Sequence, residues 1–564
     1  MKTTLCSALC LTVIGAGSLL AQPAYFTRIA DGPTDADHSW GGSLFDYDND
    51  GLVDLFVANW EGYNCLYHND GNFQFSKVTT EPAVKVYGKC STGVYADYDN
   101  DGDLDLFATG FTHKSSFFRN DLGAGNSTIF TKITNQSWLD AVASSLGAAW
   151  SDFDNDGFVD LAVANASSQN EFLYRNDGAG GMIPVSAPPL TSSGGKSQQC
   201  SWADYDGDGD PDLFVVNSFN ENNFLFRNEG AGAFTRVVEG PMVIATGNWV
   251  GLGWADYDND GDLDLYILGD GSGRRALCQN NGDGTFTAVE DDPVVTPDGT
   301  PVAAAWGDFD NDGFLDLFVV NYLGFDFLYH NERNGTFTRI YDGDIVNLAG
   351  HVGGSAAWAD LDNDGFLDLI VANDGPENGL GAPNDLWRND AKANGNTNGW
   401  LLVQLVGTAS NRSAIGAKIR AKATIWGEEV RQMREISGGG GSWGQTDLRA
   451  HFGLGDATQV DLLRIEWPSG IVQMLTNVAP NQILTITEHQ ADTPSAPSLT
   501  VTKPAAGSLQ LIATGQANLR YVFEASSELA QWTKIAVRTN LTGTVDYTPA
   551  TSSSAQRFYR VQVP

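Results

Sequence analysis

From residue 25 to about residue 392 the chain alternates short apolar runs with polar turns in one recurring order. One repeat opens on small residues closed by an indole, Ala303-Ala304-Ala305-Trp306, and passes through an acidic stretch. Three further runs follow: Asp316-Leu317-Phe318-Val319-Val320-Asn321, Phe327-Leu328-Tyr329-His330-Asn331 and, after a turn at Asn334-Gly335, Phe337-Thr338-Arg339-Ile340. Runs of this length, rich in aromatic and β-branched residues and punctuated by Asn and Gly, predict four strands per repeat. The small residues of the first strand, seen again in Ser355-Ala356-Ala357-Trp358, suit a crowded centre. Such repeats predict the blades of a β-propeller, with a stacked solenoid as the competing architecture.

Ring closure separates the two. The last repeat runs through Leu386-Trp387-Arg388-Asn389 and lacks a fourth strand, whereas Phe26-Thr27-Arg28-Ile29 stands alone near the N-terminus. A ring completed by its own N-terminal strand has no open edge to protect. The expected fold is therefore all-β: a seven-bladed β-propeller closed by an N-terminal strand (residues 25–392), followed by two small β-sandwich-like domains.

The acidic stretch carries the chemistry. Asp-x-Asp-x-Asp-Gly-x-x-Asp opens at Asp46, Asp97, Asp152, Asp204, Asp256, Asp308 and Asp360, at steps of 51, 55, 52, 52, 52 and 52 residues. In the first copy Asp46, Asp48, Asp50 and Asp54 offer carboxylates, Gly51 permits a sharp bend, and the Leu52 carbonyl is free to point inward. The corresponding candidate ligands are Asp97, Asp99, Asp101, Asp103 and Asp105; Asp152, Asp154, Asp156, Phe158 and Asp160; and Asp204, Asp206, Asp208, Asp210 and Asp212. The last three copies supply Asp256, Asp258, Asp260, Asp262 and Asp264; Asp308, Asp310, Asp312, Phe314 and Asp316; and Asp360, Asp362, Asp364, Phe366 and Asp368. Loops whose donors are all oxygen suit calcium, here up to seven structural ions. Two like charges about 4 Å apart repel by roughly 4 kcal/mol at an effective dielectric near 20, so an empty loop should splay or take up protons. Repeat four, with Gly207 and Pro211 inside its loop, is the candidate for altered affinity.

These repeats resemble the FG-GAP/VCBS-type calcium-binding propellers, the repeat also found in integrin α-chain heads. Past the propeller, residues 399–489 carry the phrases Ser410-Asn411-Arg412-Ser413-Ala414-Ile415-Gly416-Ala417, His451-Phe452-Gly453-Leu454-Gly455 and Glu466-Trp467-Pro468-Ser469-Gly470. They resemble the ASPIC/UnbV domain, which follows such a propeller in proteins similar to cartilage acidic protein. Where that family usually shows Gly-x-Gly-Tyr-x-Ser-Gln, this chain has Gly438 to Gly441, then Ser442, Trp443, Gly444 and Gln445. The resemblance implies an extracellular calcium-binding or adhesive protein and supplies no reaction. A linker at 490–498, with Thr493-Pro494-Ser495-Ala496-Pro497, leads to a third β domain at 499–564.

Charge narrows the partners. A formal net charge of −38 argues against nucleic acid or an anionic membrane surface. Residues 1–21 read as a signal peptide, and no later run is apolar enough to span a bilayer, which predicts a secreted, periplasmic or cell-surface protein. Of the four cysteines beyond the signal, Cys65 and Cys90 form the preferred disulfide; four buried free thiols, with Cys200 and Cys278, are the alternative.

No catalytic residue is assigned, since no Ser-centred elbow, zinc-type spacing or phosphate-cradling loop occurs. His68 and His330 hold a repeat position occupied elsewhere by Arg119, Arg175, Arg227 and Arg388 and read as scaffold. His38 and His351, preceding the loops of the first and seventh blades, are the candidate pair for ligand binding or catalysis. The acidic loops join strands one and two, so the connections between strands two and three and the connectors between blades lie on the opposite rim. That rim carries Trp60, Tyr63, Phe219, Asn220, Asn222, Trp249, Tyr322 and Phe325, aromatic platforms and amides suited to an extracellular glycan or protein ligand. A polysaccharide-modifying enzyme on a propeller scaffold and a non-binding envelope scaffold are the alternatives.

Overall fold

The computed structural model describes residues 25–30, 32–33, 38–123, 128–230, 232–269, 273–348, 352–375, 383–439, 442–489, 497–503, 509–515, 519–527, 532–540, 543–549 and 557–562. Among these, seven sheets each contain the four strands predicted for a repeat, two of them with a fifth strand added at a rim. The innermost strands are His38–Phe45, Gly93–Ala96, Val142–Ser151, Ser197–Ala203, Trp249–Ala255, Pro301–Gly307 and Val352–Ala359. Each packs on the next, and Val352–Ala359 packs back on His38–Phe45, so the sheets form a closed ring. The N-terminal strand Phe26–Arg28 completes the last sheet by pairing antiparallel with Asp385–Asn389, Phe26 opposite Asn389 and Arg28 opposite Trp387. Closure by a strand from the far end of the chain is what the missing fourth run predicts.

The second module is two sheets face to face. Gly399–Val406 lies between Ala450–Gly455, antiparallel, and Gln482–Thr487, parallel. Glu428–Glu435, Lys418–Ile425, Val460–Glu466 and Val472–Val478 form the other. The third module stacks two three-stranded sheets around Leu511, Ala513, Tyr521 and Phe523.

The module following the ring is fused to it. Val94, Trp150 and Leu161 of the propeller share one buried apolar cluster with Leu401, Ile419, Phe452 and Trp467. Residues 438–439 and 442–445, where the chain departs from the family phrase, reach the inner strands of the ring. The Gly438 carbonyl accepts the Trp150 N–H at 2.9 Å and the Gln445 carbonyl accepts the Leu44 N–H at 3.0 Å. The Gln445 side chain both accepts from Tyr95 N (2.8 Å) and donates to Tyr95 O (3.1 Å). Ser442 Oγ donates to Leu252 O and accepts from Ala304 N, both at 3.1 Å. One loop therefore touches the inner strands of blades one, two, three, five and six. Glycine is required by closeness: a Cβ on Gly438 would meet Trp150 O at 2.0 Å, and one on Gly444 would meet Gly42 O at 1.9 Å.

Cys65, Cys90, Cys200 and Cys278 are buried and form no disulfide among the described residues, which corrects the preferred Cys65–Cys90 bridge. Cys65 packs with Leu44, Val57 and Tyr67, and Cys90 with Ala83, Tyr95 and Phe118, in separate apolar clusters.

Candidate calcium loops and the opposite rim

Each acidic loop is a hydrogen-bonded turn built by its own carboxylates. In blade one the N–H groups of Asp50 and Gly51 donate to Asp46 (3.1 and 2.8 Å), and Leu52 N–H donates to Asp50 (2.8 Å). Gly51 sits at φ +92, the bend a side chain would strain. Asp54, fully buried at the start of the second strand, accepts from Tyr47 N (3.1 Å) and from Asn69 N on the third strand (2.8 Å), which ties loop to blade. The pattern recurs at Asp105, Asp160, Asp264, Asp316 and Asp368.

After these bonds, oxygens are left over. Asp48 Oδ1, Asp99 Oδ1, Asp154 Oδ1, Asp204 Oδ1, Asp212 Oδ2 and Asp256 Oδ2 are buried with no hydrogen-bond partner. Carboxylate oxygens of Asp46, Asp48 and Asp54, of Asp97, Asp99 and Asp101, and of Asp152, Asp154 and Asp160 lie within 4.8 Å of one another. Converging, unpartnered, all-oxygen donors fit a hard cation. Burial, augmented by the loop's other carboxylates, pushes Asp97, Asp152, Asp256 and Asp360 up to about 7 and Asp54 and Asp264 up to about 9. Without a cation these six carboxyls take up protons more readily than free aspartates do.

A link that sequence reasoning missed joins the loops into a chain. The fourth position of the motif is Asn in six copies, each in the left-handed region that Asn tolerates, φ 56 to 61. Asn49 reaches Gly102 O, Asn100 reaches Gly157 O, Asn155 reaches Gly209 O, Asn259 reaches Gly313 O, Asn311 reaches Gly365 O, and Asn363 closes the circle on Gly51 O at 3.1 Å. The recurrence was legible; its reach into the next blade was not. Blade four has Gly207 there, and the acceptor it would have used, Gly261 O, takes Arg420 Nη1 of the second module at 2.8 Å instead.

Blade four is also where lysines meet the loop. Lys418 Nζ stands 3.1 Å from Asp204 Oδ2, and Lys534 Nζ of the third module stands 2.9 Å from Asp208 Oδ2 and also pairs with Asp210. Asp103 and Asp210 turn their carboxylates to Asn49 and Asn155 of the preceding blade. His68 and His330 bring Nε2 to Asp48 (3.0 Å) and Asp310 (3.3 Å), so this scaffold position borders the loops.

The second module covers this rim. Arg449 donates to Asn363 Oδ1 (2.9 Å) and Asp360 O (3.2 Å), Arg412 N to Asn100 Oδ1 (2.7 Å), and Ser413 Oγ accepts from Asp97 N (2.9 Å). His451 is buried with Nε2 3.1 Å from Gly365 O, a packing role.

The opposite rim is open but uneven. Trp60 stacks on Trp40 (centroids 4.4 Å, 14°) and leans on Phe111 (4.9 Å), with Lys89 Nζ 5.1 Å above it. Trp443, carried through the ring by the central loop, meets Trp40 edge-on at 5.1 Å. Tyr63 pairs with Tyr87, and these are 54% and 69% exposed. His38 Nδ1 lies 2.7 Å from the Asp374 carbonyl, while His351 falls outside the described residues, so the expected pair is not described. Phe219, Asn220, Tyr322 and Phe325 are exposed on blades four and six, away from this cluster. Trp249 is a correction: it is buried, donates to Ala245 O at 3.1 Å and serves the core. Asn222 is half-buried and donates to Val243 O at 2.7 Å, holding a connection in place. Trp40, Tyr87 and Phe111 were missed: Trp40 lies in the first strand of blade one, Tyr87 in the connector to blade two and Phe111 in that blade's connection between strands two and three.

Two family profiles match the chain. The FG-GAP-like repeat profile matches residues 46–108, 97–163, 152–215, 204–267, 256–319 and 309–371, and the ASPIC and UnbV profile matches 407–493. Cartilage acidic protein 1 of Mus musculus is 24% identical over 535 residues, covering 83% of this chain and 77% of that protein. The Xenopus tropicalis protein of the same name is 29% identical over 309 residues, 51% of this chain and only 44% of its own length. Among solved structures, an Agrocybe aegerita lectin that recognises non-reducing terminal N-acetylglucosamine aligns at TM-score 0.40 with 20% identity, covering 64% of this chain and 93% of its own. BBS1N in complex with ARL6DN aligns at TM-score 0.43 with 10% identity, covering 64% and 97%.

Proposed function

The chain belongs to the FG-GAP-like repeat family, and from that premise we propose that it is an extracellular ligand-binding protein whose propeller is stiffened by calcium. The loops of blades one, two, three, five, six and seven hold the ions through the Asp positions named above and the carbonyl at the seventh motif position. Blade four binds more weakly, because Lys418 and Lys534 already neutralise Asp204, Asp208 and Asp210. Calcium supplies charge neutralisation here and no reaction. Homology to cartilage acidic protein 1 supports an extracellular setting, and no helix among the described residues is long and apolar enough to cross a membrane.

The observation that carries the binding role is the asymmetry of the ring: the loop rim is capped by the second module, whereas the free rim carries one aromatic cluster of Trp40, Trp60 and Phe111 and a second, exposed pair, Tyr63 and Tyr87. Aromatic faces beside Lys89 and Glu61 suit a sugar ring or an extended peptide. The test is capture on glycan and matrix-protein arrays by the calcium-loaded chain. Trp60→Ala should weaken capture tenfold or more while metal content stays the same; undiminished capture would reject this rim.

A further inference from the structure

Between the ring and its cap lies a chamber of about 240 Å³, walled by the inner strands of blades four to seven and by residues of the second module within 433–439 and 442–451. A cavity of about 150 Å³ already holds benzene, and a single water needs only about 10–15 Å³, so this volume exceeds a packing defect. Two surfaces give it chemical character. The first is aromatic. An indole recurs on the inner strand at Trp150, Trp202, Trp254, Trp306 and Trp358; Trp150, Trp202 and Trp358 are buried, but Trp254 and Trp306 keep exposed surface on the chamber.

The second is cationic. Arg434 lines the chamber and donates only to neutral acceptors: His451 O at 3.2 Å, Met433 O at 2.9 Å and Gln432 Oε1 at 3.3 Å. Among the described residues no carboxylate stands within 4.0 Å of it, whereas the neighbouring cations are paired, Arg449 with Asp447 and Lys418 with Asp204. The acids that act on it electrostatically are Asp308, which accepts from Asp312 and Gly313 N–H, and Asp256, which accepts from Gly261 N–H on Oδ1 and keeps Oδ2 unpaired; filled calcium loops would neutralise both. A cation taken out of water without a counterion is costly, and a guanidinium offers a planar fork matched to a carboxylate.

We propose that the chamber binds a small organic carboxylate with a compact, flat apolar body, its acid on Arg434 and its face on Trp254 and Trp306. Ser437, exposed beside Arg434, marks the side left open to a guest. The inference rests on the calcium reading in that filled loops leave Arg434 uncompensated, and it is independent of the aromatic rim.

Calorimetric titration of the full chain in calcium, with benzoate as probe and benzamide as its neutral counterpart, tests it. Benzoate should bind at least tenfold more tightly than benzamide, and Arg434→Gln should remove roughly that factor. Ser437→Phe, which fills the open side, should abolish binding while melting temperature and calcium content hold, and it carries the test if Arg434→Gln fails to fold. Equal affinity for benzamide, or benzoate binding undiminished in both variants, overturns the assignment. So does the absence of benzoate binding together with a native mass equal to chain plus metal, which would leave the chamber to water. Metal content measured on the same samples separates failure of this proposal from failure of the calcium reading.

Discussion

The two rims of this propeller come from one repeat and have opposite fates. The acidic rim is uniform, because its donors recur in every blade, and it is covered: Arg412, Lys418, Arg420 and Arg449 of the second module all bond to its loops. The other rim varies from blade to blade and stays open, with Trp40, Trp60 and Tyr63 on one side of the ring and Phe219 and Tyr322 elsewhere. Repetition therefore marks the surface that holds the protein together, and its loss marks the surface free to recognise something.

Calcium removal should separate the rims most sharply. At about 1 mM calcium and a dissociation constant near 10⁻⁴ M each site contributes about 1.4 kcal/mol, so six or seven sites sum to roughly 10 kcal/mol. A chelated sample should lose most of its thermal stability by calorimetry; an unchanged melting temperature would end the calcium reading. The deficit should also depend on pH. Asp97, Asp152, Asp256 and Asp360 at about 7 and Asp54 and Asp264 at about 9 lie above an unfolded carboxylate near 3.9, so the metal-free fold binds protons more tightly than the unfolded chain. Their contribution is present below about pH 4 and is lost as pH rises toward 9. The gain in melting temperature on adding calcium should widen over that interval.

The cap comes next. Gly444→Val places a side chain against Gly42 O, 1.9 Å from the ideal Cβ, and should cost about 3 kcal/mol or more by expelling the central loop. Limited proteolysis between residues 437 and 447 should then accelerate, and cleavage at the wild-type rate would show the loop is not seated. Smallest is Lys534→Ala, expected to change stability by under about 1 kcal/mol while raising bound calcium by one ion as blade four is freed. Elemental analysis reads this directly, and an unchanged stoichiometry removes the lysine from the account.

Much of the fold was legible because it is local. Asp-Gly spacing places each turn, small residues ahead of it mark the crowded inner strand, and Phe26-Thr27-Arg28 supplies the run missing after Asn389. The asparagine chain was legible as a recurrence but not as a bond, since its partner lies one blade away. Trp249 misled because an aromatic beside a connection reads alike whether it faces solvent or, as here, folds back on Ala245.

What the chain prescribes residue by residue is the repeat: its strands, its acidic turns and the fact that the ring must close. Which rim lies open and why Gly438 and Gly444 are glycines were settled by segments more than a hundred residues apart coming into contact. Short-range pattern sets backbone geometry, but burial and charge compensation depend on what arrives from elsewhere, and no local periodicity encodes that arrival.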